Sequence, residues 1–152
     1  MKRFSFRLEP YLKLCRYREE QEKQALMELL AQRRRLEEQL TALRAEIDRL
    51  FTDMSGKREL PAYEAGWYRA RISRLEVGVQ ETLGRLDRLE EAVAQQRRRL
   101  IEARKEKKVA ERLREKQWIS YQSERDVAEQ REMDDLFSQK YAQELSRRRR
   151  DG

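Results

Sequence analysis

The stretch MSGKRELPAYEAG, residues 54–66, decides how this chain folds: it holds the densest cluster of helix breakers in the sequence, a Ser-Gly pair, Pro61 and a second glycine. On its N-terminal side, stepping alternately by four and three from Leu8 lands on Leu12, Cys15, Glu19, Glu22, Leu26, Leu29, Arg33, Leu36, Leu40, Leu43, Ile47, Leu50 and Met54. Eleven of these fourteen positions are apolar. A period of 3.5 residues held this long predicts a coiled-coil seam, because it keeps one stripe facing a partner as the helices supercoil. On the C-terminal side a second register runs through Tyr68, Ile72, Leu75, Val79, Thr82, Leu86, Leu89, Val93, Gln96, Leu100 and Ala103. Two heptad helices joined by a short breaker fold back on each other, since each supplies the stripe the other lacks.

The expected fold is therefore all-α: a long antiparallel two-helix coiled-coil hairpin whose second helix overhangs. Helix 1 is expected over about 7–54, the turn over about 55–61, helix 2 over about 62–146, and a basic disordered tail over 147–152, the whole forming a single rod. Pro61 suits the first turn of helix 2, where its missing N–H costs nothing. Folding about the turn pairs residues whose numbers add to about 118. That register sets the polar seam residues Glu19 and Glu22 near Arg99 and Gln96, and brings Glu19 and Glu20 toward Arg97, Arg98 and Arg99. About 45 paired residues at ~1.5 Å each make a rod of roughly 70 Å.

Helix 1 runs out of partner near residue 110, yet helix-forming sequence without Gly or Pro continues to Ser146. Its apolar side chains thin to Leu113, Trp118, Tyr121, Val127, Met133, Leu136, Phe137 and Tyr141. Two readings of this overhang stay open: a face that awaits a partner, or one covered by Phe4, Phe6, Leu8 and Tyr11 of the N-terminal tail. A solitary helix holds together weakly through local propensity alone.

Composition limits the chemistry. Of 152 residues, 43% are charged and 38% apolar, so a thick globular core is excluded and narrow helical stripes are what the apolar residues can fill. There is no His and the only Cys is Cys15, so neither a His/Cys metal site nor a Ser-His or Cys-His nucleophile pair can be built. Cys15 reads as a small seam residue. Gly56-Lys57 lacks the earlier glycine and the following Ser or Thr of a phosphate-binding loop. No enzyme activity, cofactor or metal is expected. Nor does any segment have the length and apolarity of a membrane span or the apolar core of a secretory signal, which points to the cytosol.

The formal net charge of +7 is unevenly spread. Residues 1–18 hold six basic and one acidic side chain and residues 97–116 hold ten and four, whereas 19–53 and 76–92 are each net acidic. In the hairpin the two basic segments lie side by side, away from the turn. Such a surface suits either an acidic protein face or nucleic-acid phosphates. A leucine-zipper reader is disfavoured, because apolar heptads do not follow Lys116, and closely spaced aromatics for stacking single-stranded bases are missing. The runs 33–35 and 147–150 read as solvated faces.

Two stretches together resemble a known family. FSFRLEPYLKLCRYREEQEKQAL, residues 4–26, is similar to the start of the bacterial flagellar export protein FliJ, where an F-x-F-x-L-x-x-x-L stretch enters a long helix. EKKVAERLREKQWISYQSERDVAEQREMDDLF, residues 106–137, resembles the family's basic helix followed by an E-Q-[RK]-x-[ML]-D-[ED] element, here residues 129–135. The resemblance implies a non-enzymatic central-stalk component of the flagellar type III export apparatus, similar in architecture to the gamma subunit of rotary ATP synthases. It implies, as partners, the hexameric flagellar export ATPase, which it binds and stimulates, the export gate protein FlhA and, in some members, substrate chaperones; no specific nucleic acid and no membrane insertion. The location implied is the cytoplasmic face of the inner membrane at the flagellar basal body. ATPase contacts map to Arg3, Phe4, Phe6, Leu8 and to Glu129, Gln130, Met133, Asp134, Asp135 and Phe137, joined by the basic side chains Arg97, Arg98, Arg99, Arg104 and Lys105. The gate contact maps to Tyr68, Ile72, Leu75 and Val79, which also read as seam residues. The stalk protein of a virulence injectisome, with the same architecture, a basic coiled-coil nucleic-acid binder, and a generic structural coiled coil that dimerises are the alternatives.

Overall fold

The computed structural model describes residues 2–152 and contains two helices, α1 (Glu9–Gly56, 48 residues) and α2 (Ala62–Arg150, 89 residues). Among the described residues there is no strand. The architecture is the all-α hairpin that the two heptad registers require. Pro10 sits in the first turn of α1, where no backbone N–H is needed. At the other end Gly56 does not take a positive φ, so α1 does not close through a left-handed cap. Instead Lys57 N–H donates to Met54 O at 3.4 Å, a tighter three-residue closure, and Ser55 Oγ donates back to Phe51 O at 2.8 Å. Pro61 precedes α2 and accepts its first bond, from Ala65 N–H at 3.0 Å.

The chain divides into two compact units, residues 17–104 and residues 2–16 with 105–152. In the first unit α1 and α2 pack antiparallel along the predicted stripes. Every α2 position from Tyr68 to Ala103 in that register is buried or half-buried, as are Leu26, Leu29, Leu36, Leu40, Leu43, Ile47, Leu50 and Met54 of α1. The α2 stripe is the deeper one. Leu43 leans over Gly78, where a methyl group would lie 3.6 Å from Leu43 Cδ1.

Two polar residues of the α2 stripe, Thr82 and Gln96, are hydrogen-bonded in place. Thr82, 3% exposed, donates its hydroxyl to Gly78 O at 2.8 Å. Gln96 donates from Nε2 to Glu22 O at 3.0 Å and to the Glu22 carboxylate, so the interruption of one stripe meets the interruption of the other. The pairing register follows: residue numbers add to 118 for Gln96 with Glu22, 117 for Arg71 with Glu46, and 123 for Arg33 with Glu90 and Arg104 with Glu19. Glu19 reaches Arg104 at 3.7 Å rather than Arg97–Arg99 as expected, because it lies half-buried in the seam while those three arginines point to solvent.

In the second unit an extended strap, residues 2–6, lies against α2. Phe6, Leu12 and Ala110 form its buried centre with Phe4 packed against them, and Cys15 is buried as a seam residue. Arg16 pairs with Glu111 at 3.8 Å and Arg114 with Glu9 at 2.9 Å. Beyond Gln122 only Ala128 is even half-buried. The expected disordered tail is instead helical through Arg150: four arginines in the last turn complement the negative end of the helix dipole, which favours continuing it.

Candidate protein-docking surfaces

Three surfaces stand out, and each has a different local origin. The first is the strap on α2. Phe4 sits edge-on to Trp118, with ring centroids 4.9 Å apart, and tilts against Tyr121 at 5.5 Å. The Arg114 guanidinium lies 5.6 Å from the Phe4 ring, a cation–π contact, and the Tyr121 hydroxyl donates to Lys2 O at 2.7 Å. Of the residues mapped here from sequence, Phe6 is buried, Phe4 half-buried, and Arg3 and Leu8 exposed. Phe4 and Phe6 therefore hold the strap down, leaving Arg3 and Leu8 available to a partner. The tail covers Trp118 and Tyr121 through Phe4, as one reading of the overhang had it, and the helix beyond them is exposed.

That uncovered helix is the second surface. Glu129, Gln130, Met133, Asp134, Asp135 and Phe137 are all exposed. Met133, Phe137, Tyr141 and Leu145 recur at four-residue intervals, 53%, 66%, 66% and 42% exposed, so they form one apolar line along the helix. Leu145 was not anticipated, although the four-residue spacing is legible in the sequence. The strap does not reach this line; its aromatic contacts end at Tyr121.

The third surface lies at the turn. Tyr68, Ile72, Leu75 and Val79 are between 6% and 9% exposed and belong to the seam with α1. The exposed large apolar side chains in these turns are Tyr63, Trp67 and Val77, at 77%, 59% and 57%. Trp67 packs edge-on to Tyr68 at 5.1 Å. Lys57 closes the turn by pairing with Glu64 at 3.1 Å and lying 5.2 Å from the Tyr68 ring centroid. Its pKa is raised, first by the hydrogen bond to Glu64 and then by Tyr68. Nothing in the periodicity singled out Tyr63 and Trp67; aromatics off the stripe, just past a breaker, were the available signal.

The basic side chains Arg97, Arg98 and Arg99 are exposed on α2 in the first unit, where Arg104 is held by Glu19. Lys105 is exposed in the second unit. Among the described residues no group of His, Cys, Asp and Glu could hold a metal ion, and no helix is long and apolar enough to cross a membrane.

A helical hairpin that displays exposed apolar lines and basic faces on long helices has the make-up of a protein-binding coiled-coil adaptor. The particular family is shown by sequence comparison: residues 4–146 match the family described as Flagellar FliJ protein, and the chain belongs to that family. It is thus a component of the flagellar type III export apparatus. Searches among curated proteins and solved structures give no match.

Proposed function

We propose that this chain is the non-enzymatic stalk of the export apparatus: its second unit binds the hexameric export ATPase and raises its turnover, and the turn region of its first unit contacts the export gate protein FlhA. The observation that carries this reading is the apolar line Met133–Phe137–Tyr141–Leu145 on a helix that lacks a covering partner from Ser123 onward among the described residues. Family membership supplies the setting. Glu129, Gln130, Asp134 and Asp135 frame the line with polar and acidic side chains, and Arg3 and Leu8 add the exposed part of the strap. The exposed cations Arg97, Arg98, Arg99, Arg104 and Lys105 steer the approach and make replaceable polar contacts. At the gate, Tyr63, Trp67 and Val77 meet the partner first, while Tyr68, Ile72, Leu75 and Val79 fix the helix that presents them. Substrate chaperones are further cargo of the same scaffold, which works at the cytoplasmic face of the membrane.

The test is a pull-down with the cognate export ATPase, with turnover measured with and without this chain. The full chain is expected to stimulate turnover. Reversing the charges of Arg97, Arg98, Arg99, Arg104 and Lys105 weakens stimulation at low salt while helicity stays intact. Stimulation unchanged by that reversal removes the electrostatic part of the proposal, and no binding at all removes the proposal itself.

A further inference from the structure

The free end of α2 has a symmetry that the stalk reading does not use. At 100° per residue, the side chains within eleven residues and about 40° of Phe137 on the helix are Asp126, Gln130, Met133, Tyr141, Glu144 and Arg148. All are exposed. Offsets of four, seven and eleven residues on either side share a face with any helical position; what is particular here is the chemistry that they carry. Their chemistry is complementary across that centre. Met133 mirrors Tyr141, both apolar; the Gln130 amide mirrors the Glu144 carboxylate; the Asp126 carboxylate mirrors the Arg148 guanidinium. Off this face, Asp134 mirrors Lys140.

From this we infer that the face is self-complementary and that its occupant is a second copy of the same chain, packed antiparallel about a two-fold axis at Phe137. In that pairing the two Phe137 rings meet, each Met133 lies against the partner's Tyr141, each Gln130 amide donates to the partner's Glu144, and each Asp126 faces the partner's Arg148. Every contact occurs twice, as an isologous interface demands. A parallel, in-register pair would set Asp126, Glu144 and Arg148 each against its own like charge, which is destabilising. Among the described residues of one chain, Asp126 has only the exposed Arg125, at 4.0 Å, as its ion-pair partner. That contact is weak enough to yield to a better one. The inference goes beyond the stalk reading and stands without it. Its consequence there is direct: the dimer covers Met133, Phe137 and Tyr141 of the apolar line offered to the ATPase, so the paired form is a reserve state that ring binding must dissociate.

The experiment is sedimentation equilibrium of the full chain alone, with circular dichroism to show that each variant keeps its helix. The wild type is expected to rise from the mass of one chain toward two as concentration increases. Phe137→Glu, which sets two carboxylates on the axis, should raise the dissociation constant at least about tenfold. Asp126→Arg alone and Arg148→Glu alone should each weaken pairing by about tenfold, whereas an equimolar mixture of the two restores it, because the charges are then opposite at both ends. A wild type that stays at one chain's mass up to the solubility limit overturns the inference. So does a mixture that pairs no better than either variant by itself, or dimerisation that is indifferent to Phe137→Glu.

Discussion

The same helix, α2, lives in two different environments. From Tyr68 to Ala103 each apolar residue of its stripe is enclosed by α1, and even Thr82 and Gln96 find partners within the seam. From Ser123 to Arg150 its side chains face solvent, with Ala128 alone half-buried. Both stretches are helical, so helicity by itself does not tell them apart. Burial does. In the first region tertiary packing maintains the helix; in the second, intrinsic propensity and pairs such as Arg125 with Glu129 at 3.8 Å must do so alone. Stability is concentrated in one region and available surface in the other.

The sharpest way to break this contrast is to make one substitution in both places. Val93 is 2% exposed and Val127 48% exposed. Val93→Asp strands a charge in the seam and is expected to cost about 3 kcal/mol or more in urea unfolding, whereas Val127→Asp should stay within about 0.5 kcal/mol. Equal effects would mean that the free end is packed in solution. The strap marks the border between the two regimes and gives an intermediate effect. Phe4→Ala removes the contacts to Trp118, Tyr121 and Arg114 and should cost about 1–2 kcal/mol, seen as faster amide exchange over 114–121 with the Tyr68–Ala103 stretch unaltered. The smallest effect is stabilising. Gly78→Ala places a methyl group 3.6 Å from Leu43, an ordinary contact, and gains up to about 1 kcal/mol of helix propensity in thermal unfolding.

Much of the first region was legible in the sequence because a coiled-coil seam is written as a period. The burial of Leu40, Ile72, Val79, Val93 and Leu100 follows from spacing alone, as does the meeting of Glu22 with Gln96. The ion pair of Glu19 with Arg104 was not legible to the residue: long side chains reach along the rod by a turn or more, and the period says nothing of their rotamers. The surfaces were harder for a related reason. A heptad assigns residues to the inside and leaves the outside unspecified, so Tyr63 and Trp67 carried no mark. Tyr68, Ile72, Leu75 and Val79 satisfied the seam pattern and the family's gate position at once, and the structure puts their side chains in the seam. At the free end the residue order is plain in the sequence, but a sequence does not say which faces stay uncovered, so the complementary chemistry around Phe137 gains meaning only from the exposure of its side chains.

The Gln96–Glu22 layer has a mechanical side. Sliding α1 past α2 by one heptad would set Glu22 against Leu89 or Ala103 and leave the Gln96 amide without its carbonyl, at about 1–3 kcal/mol for each polar group so stranded. The apolar layers alone would tolerate such a slip, since one leucine resembles another. The polar layer therefore acts as a shear pin: a push or twist delivered to one helix at this layer is taken up by both before the helices slip.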